Sequence, residues 1–379
     1  MGQLQLIAHG MSDDEVDFDL LDLLRKSLGI DGNSTPRPAK TGVLEDAEYI
    51  YDNSTDVALD MRGTKTAASS VWKLIQEKQY STRDWSKHEL HPKAKDESTV
   101  DFIFLMDLLN FCFWSDGTSA EQYAVEYRGK TWTGYWSLVA AIQRALDEGT
   151  IRRMYSRWWR LTGGGLQEHQ SQVHRSGATA SSPPIPLLGD RMYCLREAGY
   201  VLQDRFDGTF TACIEQSQGS AAALVNLIVD NFPCMDDRHT FEDTTVRFHK
   251  RAQILVADLW ACFEGEHYGS FHDIDRITMF ADYRIPQMLH SLGCLQYSPP
   301  LESHVRQRKT IESGHSWEIQ LRGCSIWCVE LLRREIQRQH PETHLNAILI
   351  DFFLYDSMKE LEAKGHECIA HHRTRSIWY

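Results

Sequence analysis

Residues 345–356 read LNAILIDFFLYD, and this stretch shows the pattern that decides the fold. Its apolar residues recur at intervals of three and four and do not alternate strictly, which predicts a helix and not a strand. One carboxylate, Asp351, interrupts the apolar run. At 100° per residue, Tyr355 shares the helix face of Asp351 and Asp356 lies beside it. A carboxylate in apolar surroundings is costly unless it has a specific partner, so we expect one for Asp351.

The same spacing recurs along most of the chain. It predicts further helices at residues 136–146, 187–202, 221–231, 247–263 and 325–338. Only a few short runs alternate as a strand does, for example residues 121–127 and 317–321. We therefore predict a mainly α fold with few short strands.

Composition restricts the function classes. The chain has 40 Lys and Arg against 53 Asp and Glu, a formal charge of −13, whereas binding along a nucleic-acid backbone needs clustered cations. No apolar run reaches the roughly 18 residues needed to cross a bilayer, and no basic and then apolar leader begins the chain. The nine cysteines form no Cys-x-x-Cys pair, which favours reduced core thiols over a metal site. We expect a cytoplasmic protein with a small-molecule ligand and without metal, membrane or direct nucleic-acid binding.

Two segments differ in composition from the rest. The acidic residues 1–45 are expected to form a flexible N-terminal extension, because their charge is unbalanced and their hydrophobicity is low. The Gly-, Ser- and Gln-rich residues 163–184 are too long and polar for a normal connection and are expected to form a flexible surface insertion. The remainder, residues 46–379, is predicted to be a single helical domain.

Two carboxylates have both a structural and a functional interpretation. Asp351 either forms an internal ion pair with Arg373 or Arg375, or faces a pocket for a cationic or donor-rich ligand. Asp282 lies in the run MFADYRIP, residues 279–286, where the proline predicts a bend before the next helix. Asp282 either caps that helix or pairs with Arg284, or it is a catalytic group held on a bend.

Several runs taken together resemble the queuosine salvage protein family, the queuosine 5′-phosphate N-glycosylase/hydrolases. The resemblance covers roughly residues 85–379. The runs that carry it are 88–92 (HELHP), 107–115 (DLLNFCFWS), 127–138, 250–258 (KRAQILVAD), 278–286, 322–331 (RGCSIWCVEL), 350–356 and 372–379.

The resemblance implies a fold, a reaction and a set of site residues. The fold would be helical and related to the helix-hairpin-helix DNA glycosylases. The reaction would be hydrolysis of the N-glycosidic bond of queuosine 5′-phosphate, without a cofactor, which releases the base queuine for reinsertion into tRNA. Asp282 would be the catalytic carboxylate. The residues that contact the substrate would be Phe280, Asp351, Tyr355, Asp356 and, on a shorter match, His88.

The chemistry suits these residue types. Cleavage of an N-glycoside passes through a sugar cation, which a carboxylate can stabilise or attack, or for which it can activate water. Queuine is a 7-deazaguanine whose side arm carries an amine, and Asp351 and Asp356 offer this amine a negative pocket. The 5′-phosphate needs local cations, for which the candidates are Lys130, Arg251, Arg284, Arg373 and Arg375.

Two other functions remain open from the sequence. One is a non-catalytic protein that binds queuine or a related nucleoside in the same pocket. The other is a glycosylase that acts on DNA or RNA, although the net charge of −13 disfavours it.

Overall fold

The computed structural model describes residues 38–115, 123–149 and 184–379. Most of the predicted N-terminal extension, residues 1–37, and nearly all of the predicted insertion, residues 163–183, lie outside this range. The last residues of the predicted extension, from Val43 onward, belong to the first described helix, where Val43 is buried. The described residues from Lys40 to Tyr379 belong to a single compact unit by their contacts.

Helices dominate the described residues, which confirms the mainly α prediction. The helices are α1 Val43–Asp52, α2 Met61–Lys78, α3 Arg83–Lys87, α4 Glu97–Leu108, α5 Tyr135–Asp147, α6 Leu188–Arg205, α7 Thr211–Gln216, α8 Ala221–Asn231, α9 Lys250–Cys262, α10 Arg284–Ser291, α11 Pro299–Arg306, α12 Ser316–Gln339 and α13 Ala347–Ala363.

The strands in this part of the chain are short and pair two by two. They are β1 Val57–Leu59, β2 Ala124–Tyr127, β3 Lys130–Thr133, β4 Arg238–Phe241, β5 Thr244–Arg247 and β6 Leu295–Tyr297. Two of the three antiparallel pairs, β2–β3 and β4–β5, are local hairpins. In the third, Val57 of β1 pairs with Tyr297 of β6, so this pair joins distant parts of the chain.

Local sequence signals set where several helices begin. Asp60 accepts hydrogen bonds from the backbone N–H groups of Arg62 and Gly63 at the start of α2. Asp96, Ser220 and Asn346 cap α4, α8 and α13 in the same way. Each cap satisfies a backbone donor that the first helical turn leaves free.

The prediction of a strand at residues 317–321 is wrong, because these residues form the first turns of α12. The alternation of polar and apolar residues there does not mark one exposed and one buried face. Glu318 and Gln320 are as buried as Ile319 and Leu321, with exposures of 0%, 1%, 1% and 0%. The polar members bond inside the protein, so a helix enclosed on all sides carries a pattern typical of a half-exposed strand.

Two hydrophobic cores meet within the compact unit. The first lies mainly among α4 to α9, and the second among α1, α2 and α10 to α13. The chain before α10 runs along their boundary, since Phe280 belongs to the first core while Met279 and Ala281 belong to the second. This boundary is where the candidate site is found.

No helix in the residues that the structure covers is long and apolar enough to span a membrane.

The second core depends on a close crossing of α1 and α12 at Gly323. A Cβ atom built on Gly323 would lie 2.5 Å from Ile50 Cγ2 and 2.7 Å from Ile50 Cβ, so no larger residue fits without a shift of the helices. Gly189 near the start of α6 provides a matched contrast, because a Cβ atom there meets nothing within 4 Å.

We predict that Gly323→Ala lowers the free energy of unfolding by about 1–3 kcal/mol, since overpacking in a filled core is destabilising. Gly189→Ala is expected to leave it unchanged or raise it by up to about 1 kcal/mol, because alanine favours the helix. Denaturant titration monitored by circular dichroism measures both. Equal stability of the two variants would contradict the close crossing.

Candidate active site

A cleft of about 940 Å³ opens where the two hydrophobic cores meet. Its walls come from α9, from the segment that precedes α10, from α13 and from the chain after α3. All six residues that the sequence singled out as site residues line this one cleft: His88, Phe280, Asp282, Asp351, Tyr355 and Asp356.

The chain from residue 277 to 282 has no regular secondary structure and is largely buried. Buried backbone groups of such a segment need partners from neighbouring side chains. The Gln253 side chain on α9 accepts a hydrogen bond from the backbone N–H of Thr278 at 3.0 Å. Asp351 Oδ2 on α13 accepts one from the backbone N–H of Phe280 at 2.9 Å. Two helices therefore hold this segment through polar side chains.

A third helix holds the residue directly before Asp282. Arg322 Nε on α12 donates to the backbone carbonyl of Ala281 at 3.1 Å. The guanidinium is fully buried and also donates to both carboxylate oxygens of Asp237. Because burying a charge without a partner is costly, Arg322 and Asp237 stabilise each other. This pair keeps the approach to Asp282 in one position.

Asp282 lies at the N-terminus of α10. Its Oδ1 accepts hydrogen bonds from the backbone N–H groups of Arg284 at 2.8 Å and Ile285 at 2.9 Å. The Arg284 guanidinium pairs with Glu362 and not with Asp282. Among the described residues, Asp282 Oδ2 has no hydrogen-bond partner, and the residue lines the cleft. Asp282 is thus a helix cap through one oxygen and leaves the other available for chemistry.

Lys250, the first residue of α9, supplies the charge that balances Asp282. It lines the cleft, is only 5% exposed and forms no ion pair within the described part of the chain. Burial lowers the pKa of Lys250 to about 8, and the charge of Asp282 opposes this decrease. Burial likewise raises the pKa of Asp282 above its ordinary value, and the charge of Lys250 opposes that increase. Each group favours the charged form of the other.

Asp351 is held by the backbone of Phe280 and not by an arginine. In the part of the chain that the structure covers it forms no ion pair with Arg373 or Arg375, whose guanidinium groups lie 5.4 and 4.2 Å from the ring of Trp114. Burial raises the pKa of Asp351 well above its ordinary value, and the charge of Asp282 raises it further.

Tyr355 and Asp356 extend the wall that α13 contributes. Asp356 Oδ2 accepts a hydrogen bond from the Tyr80 hydroxyl at 2.6 Å, and burial raises the pKa of Asp356. Tyr355 lies one turn beyond Asp351, and burial raises the pKa of its hydroxyl. The wall is acidic in composition, and Asp351 and Asp356 each use one oxygen for an internal hydrogen bond.

Aromatic rings line the part of the cleft near α3. The His88 imidazole stacks on Trp136 with ring centroids 3.2 Å apart, and Trp85 stacks on His91 at 3.8 Å. Burial lowers the pKa of His88, which favours the neutral ring. Flat, neutral surfaces of this kind suit a planar base.

The five cations proposed for the phosphate do not all reach the cleft. Arg284 and Arg373 line it. Arg251 is buried and donates to backbone carbonyls, including that of Leu108, while Lys130 pairs with Glu89 at 2.5 Å outside the cleft. Arg375 does not line the cleft either.

Several charged cleft residues were missed from the sequence, among them Arg308, Lys359, Lys250 and Asp258. Arg308 and Lys359 line the cleft as Arg284 and Arg373 do, and they add positive charge to it. Lys250 and Asp258 lie eight residues apart on α9, so they share one face of that helix. The spacing of Lys250 and Asp258 could have indicated from the sequence that they share a helix face. Only the tertiary contacts show that this face lines a cavity.

No group of three or more His, Cys, Asp or Glu side chains in the described residues is arranged to hold a metal ion.

Comparison with known proteins identifies relatives over most of the chain. Residues 90–379 match the family model described as queuosine salvage protein. Three similar proteins carry the name queuosine 5′-phosphate N-glycosylase/hydrolase. The one from Schizosaccharomyces pombe is 40% identical over 89% of this chain and 99% of its own length. The one from Mus musculus is 38% identical over 88% and 98%, and the one from Sphaerobacter thermophilus is 35% identical over 90% and 98%.

We predict that Asp282→Asn lowers the pKa of Lys250 below about 8, because the substitution removes the negative charge that favours the ammonium form. A decrease of the pKa from about 8 to about 7 would make the reaction of Lys250 with an amine-selective reagent about fivefold faster at pH 7, because the neutral fraction of the amine rises from roughly a tenth to about a half. Mass spectrometry of labelled peptides measures the rate, with the exposed Lys73 as internal control. Slower labelling of Lys250 in the variant would contradict the coupling.

Proposed function

The chain belongs to the queuosine salvage protein family, and from this premise we propose that it hydrolyses the N-glycosidic bond of queuosine 5′-phosphate and releases queuine. The observation that carries the proposal is the environment of the Asp282 carboxylate. One carboxylate oxygen is fixed by the start of α10, the other is open to a closed-in cleft, and Lys250 balances its charge. Such a group is held in place and has a free oxygen, as a catalytic carboxylate requires.

Asp282 would act on the sugar. As the bond from the anomeric carbon to the base nitrogen breaks, positive charge develops on the sugar ring. The open Oδ2 of Asp282 stabilises this charge and accepts the proton of the attacking water. The cleft restricts solvent around the carboxylate, which strengthens the electrostatic interaction.

The base must leave without help from N7, which a 7-deazaguanine lacks. Hydrogen bonds to other atoms of the base therefore have to stabilise the negative charge that develops on it. Asp351, Tyr355 and Asp356 are placed to bind the base from α13, with Phe280 and His88 against its faces. The raised pKa values of Asp351 and Asp356 support this assignment, because a protonated carboxyl donates a hydrogen bond.

The 5′-phosphate would bind at the cations that line the cleft beside Asp282. Arg284 lies two residues from Asp282, and Arg308, Lys359 and Arg373 line the same cavity. Arg284 and Lys359 both pair with Glu362, so they are already positioned at this part of the wall. A local cluster of cations is compatible with the acidic net charge of −13, since the phosphate needs only short-range partners.

Three observations support the fold, the cellular location and the type of substrate that the sequence predicts. The mainly helical architecture, with the candidate catalytic carboxylate at the start of a helix, supports a relation to the helix-hairpin-helix DNA glycosylases. The nine cysteines without a disulfide support a reducing, cytoplasmic setting. The acidic net charge supports a free nucleotide as substrate in preference to a polymer.

We predict that Asp282→Asn lowers kcat for queuosine 5′-phosphate by at least about 100-fold while the Kd changes little, because the amide keeps the shape but loses the charge. Chromatography of released queuine measures turnover and calorimetry measures binding. Asp230→Asn, an exposed site on α8, is the control. Near wild-type turnover in the Asp282 variant would refute the assignment, and binding without turnover by the wild type would favour a carrier protein.

We predict a bell-shaped dependence of kcat on pH. Turnover falls at acid pH as Asp282 is protonated, at a pKa that burial places above the ordinary value, and it falls near pH 8 as Lys250 loses its proton. Lys250→Met should remove the alkaline decrease and move the acid decrease to higher pH, because Asp282 loses its neighbouring cation. Lys73→Met is the exposed control. An unchanged profile in Lys250→Met would exclude this coupling from catalysis.

A further inference from the structure

Asp258 is a buried carboxylate in the cleft to which the proposed reaction gives no role. It is only 4% exposed and lines the cleft on the same face of α9 as Lys250 and Ile254. At 1.5 Å per residue, Asp258 lies about 12 Å along the helix from Lys250. It therefore belongs to the part of the cleft that is distant from the sugar-binding group Asp282.

A second carboxylate, Asp107 on α4, interacts with Asp258. Asp107 is 0% exposed, and its Oδ1 accepts a hydrogen bond from Asn110 Nδ2 at 3.2 Å. Its Oδ2 is buried and has no hydrogen-bond partner among the described residues. Burial, and next the charge of Asp107, raise the pKa of Asp258 well above its ordinary value, while burial raises the pKa of Asp107 to about 7. Two carboxylates so placed repel each other when both are charged.

The surroundings of the two carboxylates leave Asp258 without a cation. The groups that face Asp258 are Asp107, Trp85, Tyr135, Asp351 and Cys262, and those that face Asp107 are Asn110, Lys250 and Arg251. The Trp85 indole favours the charged form of Asp258, but no ion pair to Asp258 exists within the residues that the structure covers. A buried carboxylate with these neighbours is complementary to a ligand that brings positive charge.

The other acids of the cleft are less available. Asp351 uses Oδ2 for the backbone of Phe280, and Asp356 uses Oδ2 for the Tyr80 hydroxyl. Both are thereby positioned for the planar part of a base, as proposed above. The side arm of queuine leaves the ring system at C7, so its amine lies outside the planar base and requires a carboxylate of its own.

We propose that Asp258, with the buried Asp107 as a neighbouring negative group, binds the ammonium group on the side arm of the base and so selects queuine over related bases that lack the arm. The inference rests on the proposed function, because it takes the ligand from it. It assigns to Asp258 the specificity for the cationic arm, and it leaves Asp282 and the phosphate-binding cations unaffected.

Binding of the cationic arm changes the protonation of the two acids. A cation bound beside Asp258 favours the charged carboxylate, so binding of queuine releases a proton from the pair of acids. A ligand without the ammonium group has no such effect. Proton release therefore reports on this contact separately from binding to the rest of the cleft.

The test compares queuine with 7-deazaguanine, which has the same ring system and no arm. Calorimetry in two buffers of different ionisation enthalpy gives both the Kd and the number of protons released. The proteins are the wild type, Asp258→Asn, Asp107→Asn and the exposed control Asp230→Asn. We expect Asp258→Asn to weaken queuine binding by about 30-fold or more, to change 7-deazaguanine binding less than about threefold and to abolish proton release.

The outcomes separate this proposal from the proposed function. Equal loss of affinity for both ligands, or unchanged affinity for queuine, overturns the role of Asp258. Retained binding of 7-deazaguanine shows that the variant cleft is intact. If Asp258→Asn does not fold, equal affinity and equal proton release for the two ligands in the wild type overturn the proposal. Failure of the wild type to hydrolyse queuosine 5′-phosphate would refute the reaction and leave the binding result valid.

Discussion

The structure depends on the hydrogen bonds that satisfy a buried, irregular stretch of backbone, residues 277–282. This stretch lies between two hydrophobic cores, where unpaired backbone groups would be costly. Gln253, Asp351 and Arg322 bond to it from three separate helices. Because these helices come from both cores, any movement between the cores would change the position of the segment and of the carboxylate at its end.

The same constraint explains why charged side chains are buried in the longest helix. Arg322 bonds to the backbone of the segment, and Asp237 and Glu318 neutralise its charge. Tyr379 donates a hydrogen bond to Glu318 and extends this network towards the cleft, which its own side chain lines. The network thus connects the interior of α12 to the candidate site, and its cost in desolvation is offset by complete pairing.

The cleft carries charged side chains of both signs. Arg284, Arg308, Lys359 and Arg373 line it together with Asp258, Asp351 and Asp356. A nucleotide that carries both a phosphate and a cationic arm, as proposed above, finds side chains of opposite charge for each group in this cleft. Complementary charge of this kind contributes to specificity more than to affinity.

The sequence by itself determined the helical class, because a 3.6-residue period survives whatever the helix packs against, and family motifs identified Asp282 and five further residues of the cleft. It did not determine that residues 317–321 belong to helix α12. Their polar and apolar residues alternate as in a strand, although all of them except Trp317 are buried. Only the tertiary structure decided that Asp351 bonds to a backbone N–H and that Lys250 lies beside Asp282. Burial and charge pairing depend on contacts between distant segments, which local periodicity does not encode.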